Sequence, residues 1–175
     1  MKSFQKSFHD SICFLCFILV IAGCARSYGP KPDGLPRLVP VTITVSQEGQ
    51  PLVEAAVTLT PADGSRNWFT GGTTDSNGRV AVHTYGTHRG SPTGKFKVTV
   101  SKYIYENMEE YQAALDRGEE AEAAAKRIRV KMFSFVEDRY GDVTTTPLEI
   151  EVTTKTKTLS VDAGPVGKVE QKFVP

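Results

Sequence analysis

Hydrophobic and polar residues alternate in short segments over most of the chain that follows Pro40. Between Val41 and Val45, aliphatic residues alternate one by one with threonines, as in a strand that buries one face. Clusters of Gly, Pro, Asn and Asp separate this segment from similar ones. Further strands are predicted at residues 55–59, 68–74, 80–82, 96–100, 148–152 and 159–161. About seven short strands with frequent turns predict an all-β fold of the sandwich type.

One segment, residues 104–129, breaks this alternation because it is rich in the helix formers Glu, Ala, Lys and Arg. Its first apolar stripe has helical spacing and comprises Ile104, Met108, Tyr111 and Leu115. Gly118 is expected to interrupt the helix, since the apolar residues after it form a rotated stripe. We expect a helical insertion that packs its stripe on the sandwich. The alternative is a helix that binds in a partner's groove, with Tyr111 as a candidate contact.

The sequence also predicts where this helix begins. Asn107 is a suitable N-cap residue, and Glu110 three residues later would complete a capping box. Acidic residues lie near the start of the segment and basic residues, from Lys126 to Arg129, near its end. This order is the one favoured by the helix dipole.

The first 23 residues show a third pattern. A short basic start with Lys2 and Lys6 precedes an apolar stretch of 11 residues, 12–22, that ends in small residues. A membrane-spanning helix needs about 20 apolar residues, so this stretch is too short to be a typical span. A basic start, a short apolar core and small residues at the end are typical of a secretory signal peptide, predicted here at residues 1–23.

The residues Ile21-Ala22-Gly23-Cys24 resemble the lipobox of bacterial lipoproteins. The resemblance implies a lipid thioether on Cys24, cleavage before it, and acylation of the new amino group, for example with palmitate. The protein is then expected on the extracytoplasmic side of a cell membrane, with the lipid on Cys24 as its membrane contact. Ala25 rather than aspartate follows the cysteine, which favours the outer membrane. The alternative is an ordinary secreted protein.

Cleavage would change the composition of the chain. It removes Cys13 and Cys16, so Cys24 alone would remain and no internal disulfide could form. It also removes two lysines and one aspartate, which turns 21 basic and 20 acidic residues into 19 of each. A neutral chain lacks the basic surface that nucleic-acid binding requires, and no nucleic-acid partner is expected.

The distribution of Pro and Gly predicts the domain boundaries. Residues 24–40 contain four prolines and two glycines and are expected to form an extended tether behind the lipid. Residues 41–163 are expected to form the sandwich with its helical insertion. Residues 164–175 are expected to form a C-terminal tail.

Several turn and strand motifs resemble those of carboxypeptidase regulatory-like domains, which are related to transthyretin-like modules. They are Gly49-Gln50-Pro51-Leu52, Thr73-Thr74-Asp75-Ser76-Asn77-Gly78 and Gly94-Lys95-Phe96-Lys97-Val98. Residues 135–148 resemble a segment of bacterial lipoproteins in this group. The resemblance implies a transthyretin-like or immunoglobulin-like sandwich that acts as a non-enzymatic binding or structural module of the cell envelope.

Catalytic and metal-binding chemistry has little support in the predicted mature chain. His83 and His88 are its only histidines, and a metal site needs roughly three or four converging ligands. We therefore expect no metal, no cofactor and no enzymatic activity. The alternatives are an accessory subunit of an envelope enzyme or of a transport or assembly complex, or a weak hydrolase that uses His83 or His88.

Trp68 is the remaining candidate contact residue. A single Trp is commonly buried in a sandwich core, and burial is the favoured interpretation. The alternative is an exposed indole ring that stacks on a sugar or a partner protein. Trp68, His83 and His88 are accordingly candidate contacts to an envelope protein or glycan.

Overall fold

The alternation of apolar and polar residues produces the predicted all-β sandwich. The structure is a computed structural model that describes residues 31–171; the predicted signal peptide and Cys24 lie outside these residues. The strands of the described part are β1 (Thr42–Gln47), β2 (Gln50–Pro51), β3 (Ala56–Pro61), β4 (Thr70–Thr73), β5 (Arg79–Ala81), β6 (His83–Thr84), β7 (His88–Arg89), β8 (Gly94–Ser101), β9 (Tyr103–Glu106), β10 (Lys131–Ser134), β11 (Glu149–Val152), β12 (Thr158–Asp162) and β13 (Val169–Gln171).

Two sheets make the sandwich. The larger has the strand order β11-β8-β3-β4-β6-β7, and the smaller is built around β1, which pairs in parallel with β12 and antiparallel with β2 and β5. The core between them is filled by the alternate aliphatic residues of both sheets. Its most buried members are Ile43, Val45, Val57, Leu59, Val80, Val82, Val98, Val100 and Val152.

The longest strand, β8, defines the two ends of the sandwich. Near its start Phe96 pairs with Pro61, and at its finish Ser101 pairs with Ala56. Its eight residues span about 23 Å at about 3.3 Å per residue. After Ser101 the chain enters β9, which belongs to a third sheet with the order β13-β10-β9. We call this third sheet the ribbon.

The predicted insertion forms two helices between β9 and β10, α1 (Met108–Asp116) and α2 (Ala121–Ile128), and a further short helix, α3 (Asp138–Gly141), follows β10. Gly118 separates α1 from α2 with a φ of +84°, as predicted. Residues 103–106 are a strand instead, because they pair with β10. Ile104 is therefore not part of a helical stripe.

The helices pack on each other, and the expectation that they pack their stripe on the sandwich is wrong. Their buried residues form a cluster separate from the sandwich core, and its members are Tyr111, Ala114, Ala124 and Ile128. Alanine on the facing surfaces lets two helices approach closely. The insertion thus has a small core of its own.

The predicted capping box at the start of α1 is also wrong. Asn107 precedes the helix but has a left-handed backbone with a φ of +62° instead of the extended conformation of an N-cap. Its side-chain amide donates to the carbonyl oxygen of Ile128 at 3.3 Å. Glu110 lies 3.4 Å from Arg127 of α2 instead of reaching back to Asn107.

The folded domain extends beyond both predicted boundaries. Leu35 and Val39 are buried, and Val39 exchanges two backbone hydrogen bonds with Ser91 at 2.8 and 3.0 Å. The part of the expected tether next to Pro40 therefore belongs to the domain. On the C-terminal side, Val169–Gln171 pairs with β10 as β13, so this stretch is not a tail. Within residues 31–171, no helix is long and apolar enough to span a bilayer.

Candidate functional site

Three aromatic residues meet at the end of the sandwich where β8 begins. Trp68 and Phe69 precede β4, and Tyr85 follows β6. The pairing of β4 with β6, in which Thr70 lies opposite Thr84, brings these two segments together. We call Trp68, Phe69, Tyr85 and the neighbouring Arg66 the aromatic site.

The rings of the aromatic site contact one another around Tyr85. The Trp68 and Tyr85 ring centroids are 6.1 Å apart with their planes at 84°, which is an edge-to-face contact. The Phe69 and Tyr85 centroids are 5.7 Å apart. The guanidinium carbon of Arg66 lies 4.0 Å from the Trp68 ring centroid, within the range of a cation–π interaction.

The backbone of this site adopts conformations that non-glycine residues seldom take. Phe69 has a φ of +48° and Tyr85 a φ of +52°. The Phe69 N–H donates to Oδ1 of Asn67 at 2.8 Å, and the Tyr85 N–H donates to the Phe69 carbonyl at 3.1 Å. Phe69 is nonetheless 68% exposed. An exposed aromatic residue on a strained backbone contributes little to folding, which favours a role in binding.

A cavity of about 150 Å³ adjoins Trp68. Its charged lining residues are Arg66, Lys95 and Asp63, and the Ser65 N–H that donates to Asp63 at 2.9 Å lowers the pKa of this carboxyl. Cavities that hold a whole small-molecule ligand are roughly 300 Å³ or larger. This cavity fits one small group, such as part of a lipid headgroup, a sugar substituent or a side chain.

The structure does not combine the two histidines into one site. His83 lies opposite Arg89, and His88 lies opposite Thr84, in the paired strands β6 and β7. Because opposite residues share a face and successive residues alternate, the two histidine side chains lie on opposite faces of this pair. A ring nitrogen of His83, Nδ1, is 2.8 Å from the Ala81 carbonyl oxygen. Within residues 31–171, no cluster of three or more His, Cys, Asp or Glu residues could hold a metal ion.

The other two candidate contact residues differ from their sequence-based interpretations. Trp68 is half-buried, so it is neither the core residue that the sequence favours nor fully exposed. Tyr111 is buried between α1 and α2, and its role as a partner contact is corrected for that reason. Neither Phe69 nor Tyr85 is among the contact residues expected from the sequence, and the left-handed backbone that exposes Phe69 has no signature there.

The second exposed apolar feature is the outer strand of the ribbon. All four residues of β9 are exposed, including Tyr103 (47%) and Ile104 (41%). In the described part of the chain, β9 pairs with β10 on its inner side and with no strand on its outer side. The run Tyr103-Ile104-Tyr105 is typical of a strand and could have indicated β9 in the sequence.

A second cavity, of about 230 Å³, adjoins the start of β9 at Tyr103. Three carboxylates lie along it, Glu137, Asp138 and Asp142. The pKa of Asp142 is lowered because its carboxylate accepts hydrogen bonds from the backbone N–H and the hydroxyl of Thr144. Glu137 forms an ion pair with Arg139 at 2.8 Å. The other two carboxylates, Asp138 and Asp142, give the cavity an excess of negative charge.

Comparisons with protein-family models, curated proteins and solved structures gave no match for this chain. Function is therefore inferred from its own residues. Those that bear on it are the aromatic site, the outer strand of the ribbon and the N-terminal sequence around Cys24.

Proposed function

We propose that this protein is a non-enzymatic, lipid-anchored binding module of the bacterial cell envelope, built on a carboxypeptidase regulatory-like sandwich. Its N-terminal sequence supports the anchor through the resemblance of residues 21–24 to a lipobox. The observation that carries the binding role is the exposed outer strand β9. Its partner is an envelope protein that adds an extended segment to this strand.

The backbone of β9 is oriented for such an addition. The Phe135 N–H donates to the Lys102 carbonyl at 2.9 Å, so the backbone groups of Lys102 point to the inner side, toward the chain that follows β10. Successive residues of an antiparallel strand point alternately to either side, and the N–H and C=O of Tyr103 therefore point to the outer side. Exposed edges of this kind form backbone hydrogen bonds with added strands, while neighbouring side chains supply specificity.

The surroundings of β9 specify the chemistry of the partner segment. The exposed Tyr103 and Ile104 side chains favour apolar residues on both faces of the added strand. The acidic cavity at the start of β9, with Glu137 and Asp138, favours a Lys or Arg side chain at the end of the added strand. The partner segment is thus extended, apolar and basic at one end.

The position of the ribbon suits presentation to a partner. The chain enters the sandwich where β8 begins, since Pro36 and Gly94 line the same cavity. The ribbon follows the opposite end of β8, about 23 Å away. The described chain therefore enters the domain at the end opposite the partner surface.

The proposal is tested by a pull-down from solubilised membranes with the tagged, lipidated protein. The test variant is Ile104→Lys, and the control variant is Phe69→Asn, which changes the aromatic site at the other end. We expect a co-purifying envelope protein whose recovery falls about tenfold or more with Ile104→Lys and is unchanged with Phe69→Asn. The amide hydrogen of Tyr103, which points to the outer side, is expected to gain protection in the complex.

Two results would contradict the proposal. One is that no protein co-purifies reproducibly. The other is that recovery of the co-purifying protein does not depend on Ile104. The identity of the partner also tests the accessory-subunit alternative. If that alternative is correct, an envelope enzyme or a transport component is recovered in constant proportion to this protein.

A further inference from the structure

We propose that the aromatic site rests on the bilayer that holds the protein's own lipid, with Trp68, Phe69 and Arg66 at the membrane interface. This inference rests on the lipid anchor of the proposed function and goes beyond it. The anchor alone would leave the orientation of the domain undefined. Contact through the aromatic site would define it.

The path of the chain places Gly34, in the described part of the expected tether, next to this site. A Cβ atom built on Gly34 would lie 3.8 Å from Cη2 of Trp68, so the N-terminal segment passes directly beside the indole ring. Eight peptide steps separate Cys24 from Pro32, and they span about 28 Å at most when fully extended. A tether of this length is sufficient for the lipid to enter a bilayer that contacts the end of the sandwich with the aromatic rings.

The residue types of the site match the chemistry of a membrane interface. Trp and Tyr side chains are enriched at the level of the lipid headgroups, because their rings are apolar and their polar atoms remain hydrated. Phe69, which is 68% exposed, can enter the acyl boundary below that level. Arg66 stacks on Trp68 and can donate to a lipid phosphate with its remaining N–H groups.

The charges around the site agree with this assignment. Arg66 and Lys95 line the adjoining cavity together with one carboxylate, Asp63. This small excess of positive charge favours phosphate groups and anionic headgroups. The cavity of about 150 Å³ accommodates a group of the size of a headgroup phosphate.

The anchor makes even a weak contact effective. Once the lipid is inserted, the tether holds the aromatic site near the same bilayer. The effective concentration of the site at the membrane is then high. The ribbon follows the far end of β8 and would then be distant from the membrane, where a partner protein can reach it. A single orientation of the domain would thus place the aromatic site on the membrane and leave the ribbon accessible to a partner.

Trp68 allows a direct test because it is the only tryptophan of the chain. The full lipidated protein is reconstituted in vesicles of phosphatidylcholine and phosphatidylglycerol, with and without bromine atoms on the acyl chains. We expect brominated lipid to quench Trp68 fluorescence. Phe69→Asn and Arg66→Gln should each lower this quenching about twofold or more, while Ile104→Asn at the other end should leave it unchanged.

Flotation of the same vesicles separates failure of this inference from failure of the proposed function. Protein that floats with vesicles while Trp68 remains unquenched would retain the anchor and overturn the contact. Protein that does not float would contradict the anchor and the contact together. Trp68 emission that responds to added envelope glycan or protein and not to brominated lipid would assign the site to that partner and overturn the inference.

Discussion

The side-chain amide of Gln47 donates a hydrogen bond to the carbonyl oxygen of Phe135 at 2.9 Å. Gln47 is the last residue of β1, whereas Phe135 directly follows β10 of the ribbon. The same amide donates to the carbonyl oxygen of Pro165, also at 2.9 Å. Gln47 is buried, so one side chain satisfies two carbonyl groups where the ribbon joins the sandwich.

Replacement of Gln47 by Met should weaken this junction. The change keeps the length of the side chain but leaves the carbonyls of Phe135 and Pro165 without their donor. We expect a loss of about 1–3 kcal/mol in the free energy of unfolding, measured by urea denaturation. Gln50→Met, at an exposed position of the same hairpin, is the control and should change stability by less than about 0.5 kcal/mol. Equal effects of the two variants would contradict a special role of Gln47.

Thr74 provides a second test of buried hydrogen bonding. Its hydroxyl accepts from the Ala55 N–H at 2.8 Å and donates to the Leu52 carbonyl at 2.6 Å, which fixes the loop between β2 and β3. Thr74→Val preserves the shape and removes both bonds, at an expected cost of about 1–3 kcal/mol in thermal or urea unfolding. Thr73→Val, at an exposed neighbour, should cost far less. A neutral Thr74→Val variant would show that the loop relaxes to satisfy both groups.

The sandwich was predictable because its signal is local. The alternation at Ile43 and Val45 directly gives the buried face of β1, and Pro61 marks the end of β3. Gly118 likewise predicted a break in the helix, since its φ of +84° is accessible mainly to glycine. These features depend on neighbours in the sequence and not on distant contacts.

The ribbon and the aromatic site depend on distant contacts and were not predictable in the same way. β9 pairs with β10 across the whole helical insertion, and β13 pairs with β10 across most of the remaining chain. Trp68 meets Tyr85 only because β4 pairs with β6. The sequence identified Trp68 as a candidate, but the exposure of Phe69 results from a backbone conformation held by Asn67.

The turn at Asp75 should make stability depend on pH in the acid range. The Asp75 carboxylate accepts the backbone N–H groups of Arg79 at 2.9 Å and Asn77 at 2.8 Å, and these bonds lower its pKa in the folded state. A lowered pKa stabilises the fold fully above the unfolded-state pKa of about 3.9. That contribution is lost as the pH falls through the lower pKa of the folded state.

Asp75→Asn tests this dependence. The amide oxygen can still accept hydrogen bonds but cannot titrate. We expect the variant to be less stable than the unsubstituted protein at pH 7 and to lose less stability on acidification below about pH 4. The measurement is urea unfolding at a series of pH values. Parallel pH curves for the two proteins would contradict the assignment to Asp75.

Phe69→Asn should leave the stability of the domain nearly unchanged, although a large aromatic side chain is removed. Asn tolerates the left-handed φ of +48° better than Phe, which offsets the loss of the contact between the Phe69 and Tyr85 rings. We expect the free energy of unfolding to remain within about 1 kcal/mol of the original value. Phe96→Asn, at a buried position of β8, is the contrasting variant and should cost about 3 kcal/mol or more.

The comparison of these two phenylalanines decides whether Phe69 serves the fold or a contact. If Phe69→Asn unfolds as readily as Phe96→Asn, Phe69 is structural and any loss of Trp68 quenching in that variant reflects misfolding. If Phe69→Asn is stable and Trp68 quenching falls, the loss reports the contact itself. The second outcome is expected, because Phe69 is 68% exposed and little of its surface can contribute to the core.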